Sequence, residues 1–182
     1  MRILGVDPGS TATGYGVVEF AGGRLSHVAH GILRPGRGEA LAGRLAMIHA
    51  GLLGVAAEHA PELAVVECVF VASNPRSALV LGQARGAALA ALASAGLEVA
   101  ELSAREVKKA VTGTGAAGKA QVQAMVMRLL NLPEPPPTDA ADALAVAICH
   151  AHAGRLAGIG VGRGRRGLRS ADLSPRFSRG RR

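Results

Sequence analysis

Four acidic residues in this 182-residue sequence stand where a carboxylate could do chemistry. Asp7 closes the aliphatic run "RILGVD" just before Pro8-Gly9, and Glu67 closes "LAVVE". Asp139 and Asp142, in "TDAAD", are three residues apart and share a face if the segment is helical. Each has an ordinary explanation when taken alone. Asp before Pro-Gly is a common turn residue, a strand-end Glu can simply be solvated, and Asp near a helix start suits the dipole. The conjunction says more. If the segments ending in Asp7 and Glu67 are parallel neighbours, both acids emerge at one sheet edge, where ligands of open α/β sheets gather. Alanines beside Asp139 and Asp142 leave room at the helix surface. Four carboxylates at one point repel unless cations lie between them, and hard oxygen ligands select Mg²⁺ or Mn²⁺. Two such ions about 3.5–4 Å apart can activate water and stabilise the leaving oxygen of a phosphodiester.

A second pattern involves phosphate directly. Residues 113–120 read "GTGAAGKA", close to the G-x-x-x-x-G-K-[ST] loop that wraps nucleotide phosphates. That loop must follow a strand and end in a hydroxyl that holds Mg²⁺. Here "AREVKKAV" precedes it and reads as helix, and Ala120 follows the lysine. No nucleotide is therefore expected as ligand. A lysine opening a helix still suits a single phosphate. The sequence has three lysines, Lys108, Lys109 and Lys119, all in this short segment, and that clustering favours a functional part over ordinary surface charge.

These groups need a scaffold, and hydrophobic patterning supplies one. "RILGVD" (2–7), "GYGVVEF" (14–20) and "LSHVAHGILRP" (25–35) read as three strands, with Gly22-Gly23 as a hairpin turn between the last two. Leu41, Leu45, Ile48, Leu52 and Val55 recur at helical spacing in 40–60, ended before Pro61. A buried strand (63–67) and a helix (75–96) follow, the helix with Pro75 in its first turn and Gly96 past its end. Next come a strand (97–102) and a short helix capped by Ser103, with Glu106 at the capping-box position. A helix at 118–132, the stiff linker "PEPPP" and a last helix at 138–154 with Thr138 as N-cap complete the pattern. Three antiparallel strands followed by crossover-connected ones predict an α/β fold: a mixed five-stranded sheet flanked by helices.

Composition bounds the class. Apolar residues make up 49% of the chain and aromatic ones 2%, so the core is aliphatic. No apolar run reaches the roughly 18–20 residues of a membrane span without Arg or His interrupting it, and the N-terminus lacks a signal-peptide pattern. No membrane association is expected. Cys68 and Cys149 have no C-x-x-C spacing and read as reduced, buried small hydrophobes. The expected location is cytoplasmic. Nine arginines after Gly154, against Asp172 alone, account for the whole net charge of +8. Residues 1–154 are thus expected to form one domain, and 155–182 a flexible Arg/Gly-rich tail suited to a sequence-blind polyanion contact.

Four stretches together, "GVDPGSTATGYGVV", "VVECVFVASNPRSALVLGQARG", "REVKKAVTGTGAAGKAQVQAMV" and "DAADALAVAICH", resemble the RuvC-type crossover junction endodeoxyribonucleases, the bacterial Holliday junction resolvases. The resemblance is collinear from Met1 to about His152. It implies a ribonuclease-H-like fold and a homodimer. It also implies cutting of four-way DNA junctions in recombination and repair, dependent on two Mg²⁺ ions per site or Mn²⁺ in their place, and association with a branch-migration helicase complex. The family's acids map onto Asp7, Glu67, Asp139 and Asp142. The family's lysines map onto Lys108, an anchor for the backbone, and Lys119, which would neutralise charge developing at the scissile phosphate. Its base-stacking aromatic maps onto Phe70. Asn74 is retained, while Ser73 stands where members often carry lysine and Thr11 where some carry arginine. Arg76 and Arg85 on the following helix are further candidates for phosphate contact. Asp142 is the carboxylate chosen to assist deprotonation of the attacking water, and the ends expected are 5′-phosphate and 3′-hydroxyl.

Other readings stay open at this stage. A related-fold nuclease could act on RNA precursors, and a non-catalytic protein could bind DNA through the arginine tail. "DPGSTATG" also resembles the phosphate-binding opening of sugar kinases and Hsp70-like ATPases, which need two such domains. Cys149, His150 and His152 suggest a metal site only superficially. Residues two apart do not share a helix face, and helix-end histidines favoured by the dipole are the expectation.

Overall fold

The computed structural model describes residues 1–36, 38–68 and 74–159. Five strands and five helices follow in the order β1 (Arg2–Asp7), β2 (Thr13–Ala21), β3 (Arg24–Leu33), α1 (Leu41–His59), β4 (Leu63–Cys68), α2 (Pro75–Ser94), β5 (Glu98–Ser103), α3 (Ala104–Thr112), α4 (Lys119–Leu129) and α5 (Thr138–Ile159). The strands form one mixed sheet in the order β3-β2-β1-β4-β5. β1, β2 and β3 pair antiparallel, while β1–β4 and β4–β5 are parallel. The β2–β3 hairpin turns through Gly22 and Gly23, whose φ values of 58° and 78° lie in the left-handed region that glycine occupies without penalty.

Alternation along β1 and β4 decides what each face meets. Leu4, Val6, Ala64 and Val66 point to one side and pack with Ile48, Leu52 and Val55 of α1 and with Ala84, Ala88, Ala91 and Leu92 of α2. Ile3 and Val65 point to the other side, into a core shared with Val107 and Val111 of α3, Val122 and Val126 of α4, and Leu144 and Ile148 of α5. Asp7 and Glu67 continue the Ile3 and Val65 parity, so both acids leave the sheet on the α5 side. Val6 is in register with Val66, which sets the two acids side by side at the sheet edge.

α5 is the central helix of that face, and glycines let it sit close. A Cβ at Gly5 would overlap the Ala143 carbonyl oxygen, and one at Gly14 the Asp139 carbonyl oxygen. At Gly16 a Cβ would come within 2.6 Å of the Leu144 side chain. The helix backbone thus rests directly on β1 and β2. Ala140, Ala141, Ala143, Ala145, Ala147 and Ala151 are all fully or nearly fully buried on it.

Several element ends differ from the sequence expectation. β3 stops at Leu33 rather than Pro35; Pro35 has no N–H to give to a ladder. Thr138 is the first residue of α5 and not its N-cap, since the Ala141 N–H bonds back to the Pro137 carbonyl. α5 also runs to Ile159, because Arg155, Leu156 and Ala157 are helix formers and Gly154 alone does not end it. By length and composition α1 and α2 are each apolar enough to cross a membrane, contrary to the expectation that no segment would be. Here their buried residues face the sheet. The Ser103–Glu106 capping box is present in full.

Candidate active site

A cleft of about 220 Å³ opens at the edge of the sheet where β1 and β4 end. Asp7, Glu67 and Asp142 line it together with Lys108 and Lys119, and Ala104, Val107 and Val122 form its apolar wall. Strand parity aims Asp7 and Glu67 into it. The glycine seat under α5 brings the first two turns of that helix over them, and with them Asp142. The capping box fixes α3 directly after β5: the Ser103 N–H donates to Glu106 Oε2 at 2.9 Å, and the Glu106 N–H donates to Ser103 Oγ at 3.3 Å. This anchors the helix that carries Lys108. Lys119 is the first residue of α4, following Gly118, which supplies no side-chain cap.

The electrostatics of the cleft are those of crowded acids. The Asp7 carboxyl is pushed up to about 7, chiefly by burial and then by the charges of Glu67, Asp142 and Asp139, against a smaller downward pull from Lys119. Burial, followed by Asp142, raises Glu67, while Lys108 and Lys119 pull it down. Asp142 is also raised by burial, opposed by Lys119. Lys119 Nζ stands 3.4 Å from Asp142 Oδ2, and the acids hold its ammonium above the usual lysine range. Its side chain is 71% exposed, which leaves its donors accessible to a ligand. Asp139 is half-buried and does not line the cleft, yet its charge acts on Asp7, Asp142 and Lys119.

The donor set is all carboxylate oxygen, the chemistry that Mg²⁺ and Mn²⁺ take. Among the described residues no three His, Cys, Asp or Glu side chains form a group that could hold a metal ion by themselves. Ions here would need ligands beyond these side chains, such as water or substrate oxygens, and Mg²⁺ usually keeps several waters. The acids fit that requirement as partial ligands around an open cleft.

Other candidates fall elsewhere. Phe70 and Ser73 lie outside the described residues, as does the tail from 160 on. Asn74 is exposed and caps α2, its Oδ1 accepting from the Arg76 N–H at 2.9 Å. Arg76 lines a separate small cleft with Ser10 and Ser77. Arg85 pairs with Glu101 of β5 at 2.6 Å, and Cys68 Sγ donates to the same carboxylate at 3.3 Å; that arginine is engaged within the fold. Lys109 is exposed and does not line the acid cleft. "GTGAAGKA" follows α3, not a strand. The dipole explanation for His150 and His152 fails, because α5 continues past them to Ile159. Burial raises the Cys149 thiol to about 11 and lowers His150, so Cys149 is a protonated core residue.

Some residues that shape the site gave no signal as chemistry. Thr13 is fully buried, and its Oγ1 donates to the Gly9 carbonyl at 2.8 Å and accepts from the Gly9 N–H at 3.3 Å, pinning the turn after Asp7. Gln123 Nε2 donates to the Pro136 carbonyl at 2.7 Å, tying α4 to the linker before α5. Gly14 and Gly16 did carry a readable signal: two glycines alternating inside a strand mark a close backbone approach.

Comparison with known proteins places the chain in a family. Residues 3–150 match the family model described as crossover junction endodeoxyribonuclease RuvC. A protein of that name from Hyphomonas neptunium is 54% identical over 119 residues, covering 65% of this chain and 71% of the relative. One from Burkholderia multivorans is 51% identical over 120 residues, covering 66% of each. Among solved structures, Thermus thermophilus RuvC in complex with a Holliday junction substrate superposes with a TM-score of 0.81 at 36% identity, covering 86% of this chain and 96% of that one. The fold is the ribonuclease-H-like one, with its mixed sheet and flanking helices.

Proposed function

This chain belongs to the RuvC family of crossover junction endodeoxyribonucleases, and from that premise we propose how its carboxylate cleft cuts DNA. Its activity is endonucleolytic hydrolysis of phosphodiester bonds at four-way junctions. The observation that carries the mechanism is that Asp7, Glu67 and Asp142 line one cleft together with Lys108 and Lys119. Such a cluster is poised to take up positive charge.

Asp7, Glu67, Asp139 and Asp142 would hold the metal, Mg²⁺ or Mn²⁺, two ions per site. When bound, the ions neutralise the acids and stabilise charge on the attacking and leaving oxygens of the scissile phosphate. The protein's own groups do the rest. Lys119 Nζ, exposed at the rim, donates to a non-bridging oxygen where negative charge develops. Lys108, half-buried in the same cleft, fixes the backbone so that attack is in line. Asp142 Oδ accepts a proton from the attacking water. Departure of the 3′ oxygen leaves 5′-phosphate and 3′-hydroxyl ends. Asn74 and Arg76, at the start of α2, would meet the DNA beside the cut, and Phe70, outside the described residues, keeps the base-stacking role that the family resemblance implies.

At the level of the assembly, a homodimer fits a junction of near two-fold symmetry, since a C2 pair of clefts makes two matched cuts. Residues 1–154 would form the nuclease domain, and the arginines of 155–182 would add a sequence-blind phosphate contact. Partnership with a branch-migration helicase complex and a cytoplasmic location complete the proposal.

The test is a substrate panel. Synthetic four-way junctions, linear duplex and structured RNA are incubated with Mg²⁺, Mn²⁺ or EDTA, and nicks are mapped on every strand. Paired symmetric nicks confined to the junction, dependent on metal, are expected. Equal cutting of RNA or of linear duplex would contradict the proposal.

A further inference from the structure

A second cleft, of about 320 Å³, opens at the same sheet edge and has no part in the chemistry above. Thr11 from the β1–β2 loop lines it, with Arg34 and Gly36 after β3 and Glu39 and Arg44 at the start of α1. Among the described residues, two guanidiniums and one carboxylate therefore line it. Arg44 is half-buried, and its Nε is fully buried without a hydrogen-bond partner. Arg2 and Arg85 also bury an unpartnered Nε, but their terminal nitrogens are engaged, by the His59 carbonyl and Glu19 for Arg2 and by Glu101 for Arg85. Among the described residues Arg44 and Arg34 have no such partner. α1 opens beside the cleft with no acid in its first turn and no side-chain cap from Ala40, so the helix end adds to the positive potential.

Position gives this cleft its meaning. Leu33, just before Arg34, pairs with Thr13, and Gly14 pairs with Asp7. The arginine cleft thus lies two strand spacings from Asp7 along the sheet edge, about 10 Å at roughly 4.8 Å per strand. A DNA strand advances about 3.4 Å per nucleotide in a duplex and more when stretched. We propose that this cleft holds a backbone phosphate of the strand being cut, one to three nucleotides from the scissile bond, with Arg34 and Arg44 as its ligands and the Thr11 hydroxyl beside them. Arginine forks suit a phosphodiester, which offers two free oxygens to paired N–H donors.

The inference rests on the junction-cutting activity and is tested so that the two can fail separately. Junctions are prepared with a neutral methylphosphonate at each backbone position within three nucleotides of the cut. Wild type, Arg34→Gln/Arg44→Gln and the control Arg24→Gln, at the opposite end of β3, are compared for KM, kcat and salt dependence. The double variant is expected to raise KM about tenfold with kcat nearly unchanged, and to flatten the salt slope by about one phosphate contact. In wild type, one methylphosphonate position is expected to raise KM by a similar factor, and in the double variant that position should have no further effect. Arg24→Gln should behave as wild type. If the double variant does not melt cooperatively, Arg34→Gln alone, at an exposed position, takes its place. Penalties that multiply independently at every position, or a wild type indifferent to all of them, would overturn the inference while leaving the activity intact. A wild type that cuts no junction would instead refute the activity itself.

Discussion

Asp7 is an acid whose neutral form is stabilised by its surroundings, and this has a consequence for stability that can be checked without substrate. Its folded pKa of about 7 lies above the ordinary 3.8, so the folded state binds more protons than the unfolded one between those values. Stability from this group is therefore full below about pH 4 and lost as pH rises to about 7. The loss approaches about 4 kcal/mol, from a shift of roughly three units at 1.36 kcal/mol each, with coupling to Glu67 and Asp142 making this an upper figure. Asp7→Asn keeps the shape and removes the charge. At pH 8 without divalent ions the variant should melt at a higher temperature than wild type, with the difference vanishing near pH 4. Mg²⁺ should raise the wild-type melting temperature and leave the variant's much less changed. Equal melting of the two proteins across this range would contradict the electrostatic account of the cleft. Asp7 and Glu67 were legible in the sequence because a strand ending in an acid fixes direction as well as position. The engagement of Arg85 by Glu101 was not, because it joins α2 to β5 and no local pattern encodes the pairing.

The elements explain why these acids meet at all. β1 and β4 deliver Asp7 and Glu67 through strand parity, and α5 delivers Asp142, with Asp139 nearby but not lining the cleft, because Gly5, Gly14 and Gly16 let its backbone lie on the sheet. Gly14 lies under the Asp139 carbonyl, so a side chain there must push the start of α5 away from Asp7. Gly14→Val is expected to lower the junction-cutting kcat by at least about a hundredfold, since misplacement by about 1 Å costs that much. Junction affinity should fall less than tenfold, and raising Mg²⁺ should recover part of the lost rate. A variant whose kcat is unchanged would show that the close seat of α5 does not position the site. Helix existence, the mixed five-stranded sheet and the Ser103 capping box followed from patterning and cap chemistry. The C-terminal reach of α5 did not, because Gly154 looks like a stop and is overridden by the helix formers after it. The seat itself was visible only as an oddity, two glycines alternating within a β-strand.

On the scale of the whole molecule, the functional groups are strung along one edge of the sheet. The arginine cleft follows β3, the acids end β1 and β4, and Lys108 and Lys119 come from the helices after β5. Charge changes sign along this row, from cationic to anionic and back, which suits a phosphate backbone gripped on both sides of a metal-loaded centre. The sheet order made this row; patterning predicted a mixed five-stranded sheet, with β1 beside β4 only as a condition, and left the rest of the order open. The proposed division between phosphate-gripping and cutting groups allows a direct test of the proposal that acids from β1, β4 and α5 act as one hydrolytic centre. The measurement is single-turnover cleavage of a pre-bound four-way junction by Asp7→Asn in saturating Mg²⁺, with junction affinity measured on the same preparation. The account expects affinity within about threefold of wild type and cleavage slower by at least about a thousandfold, roughly 4 kcal/mol of lost transition-state stabilisation. Cleavage within tenfold of wild type would contradict it.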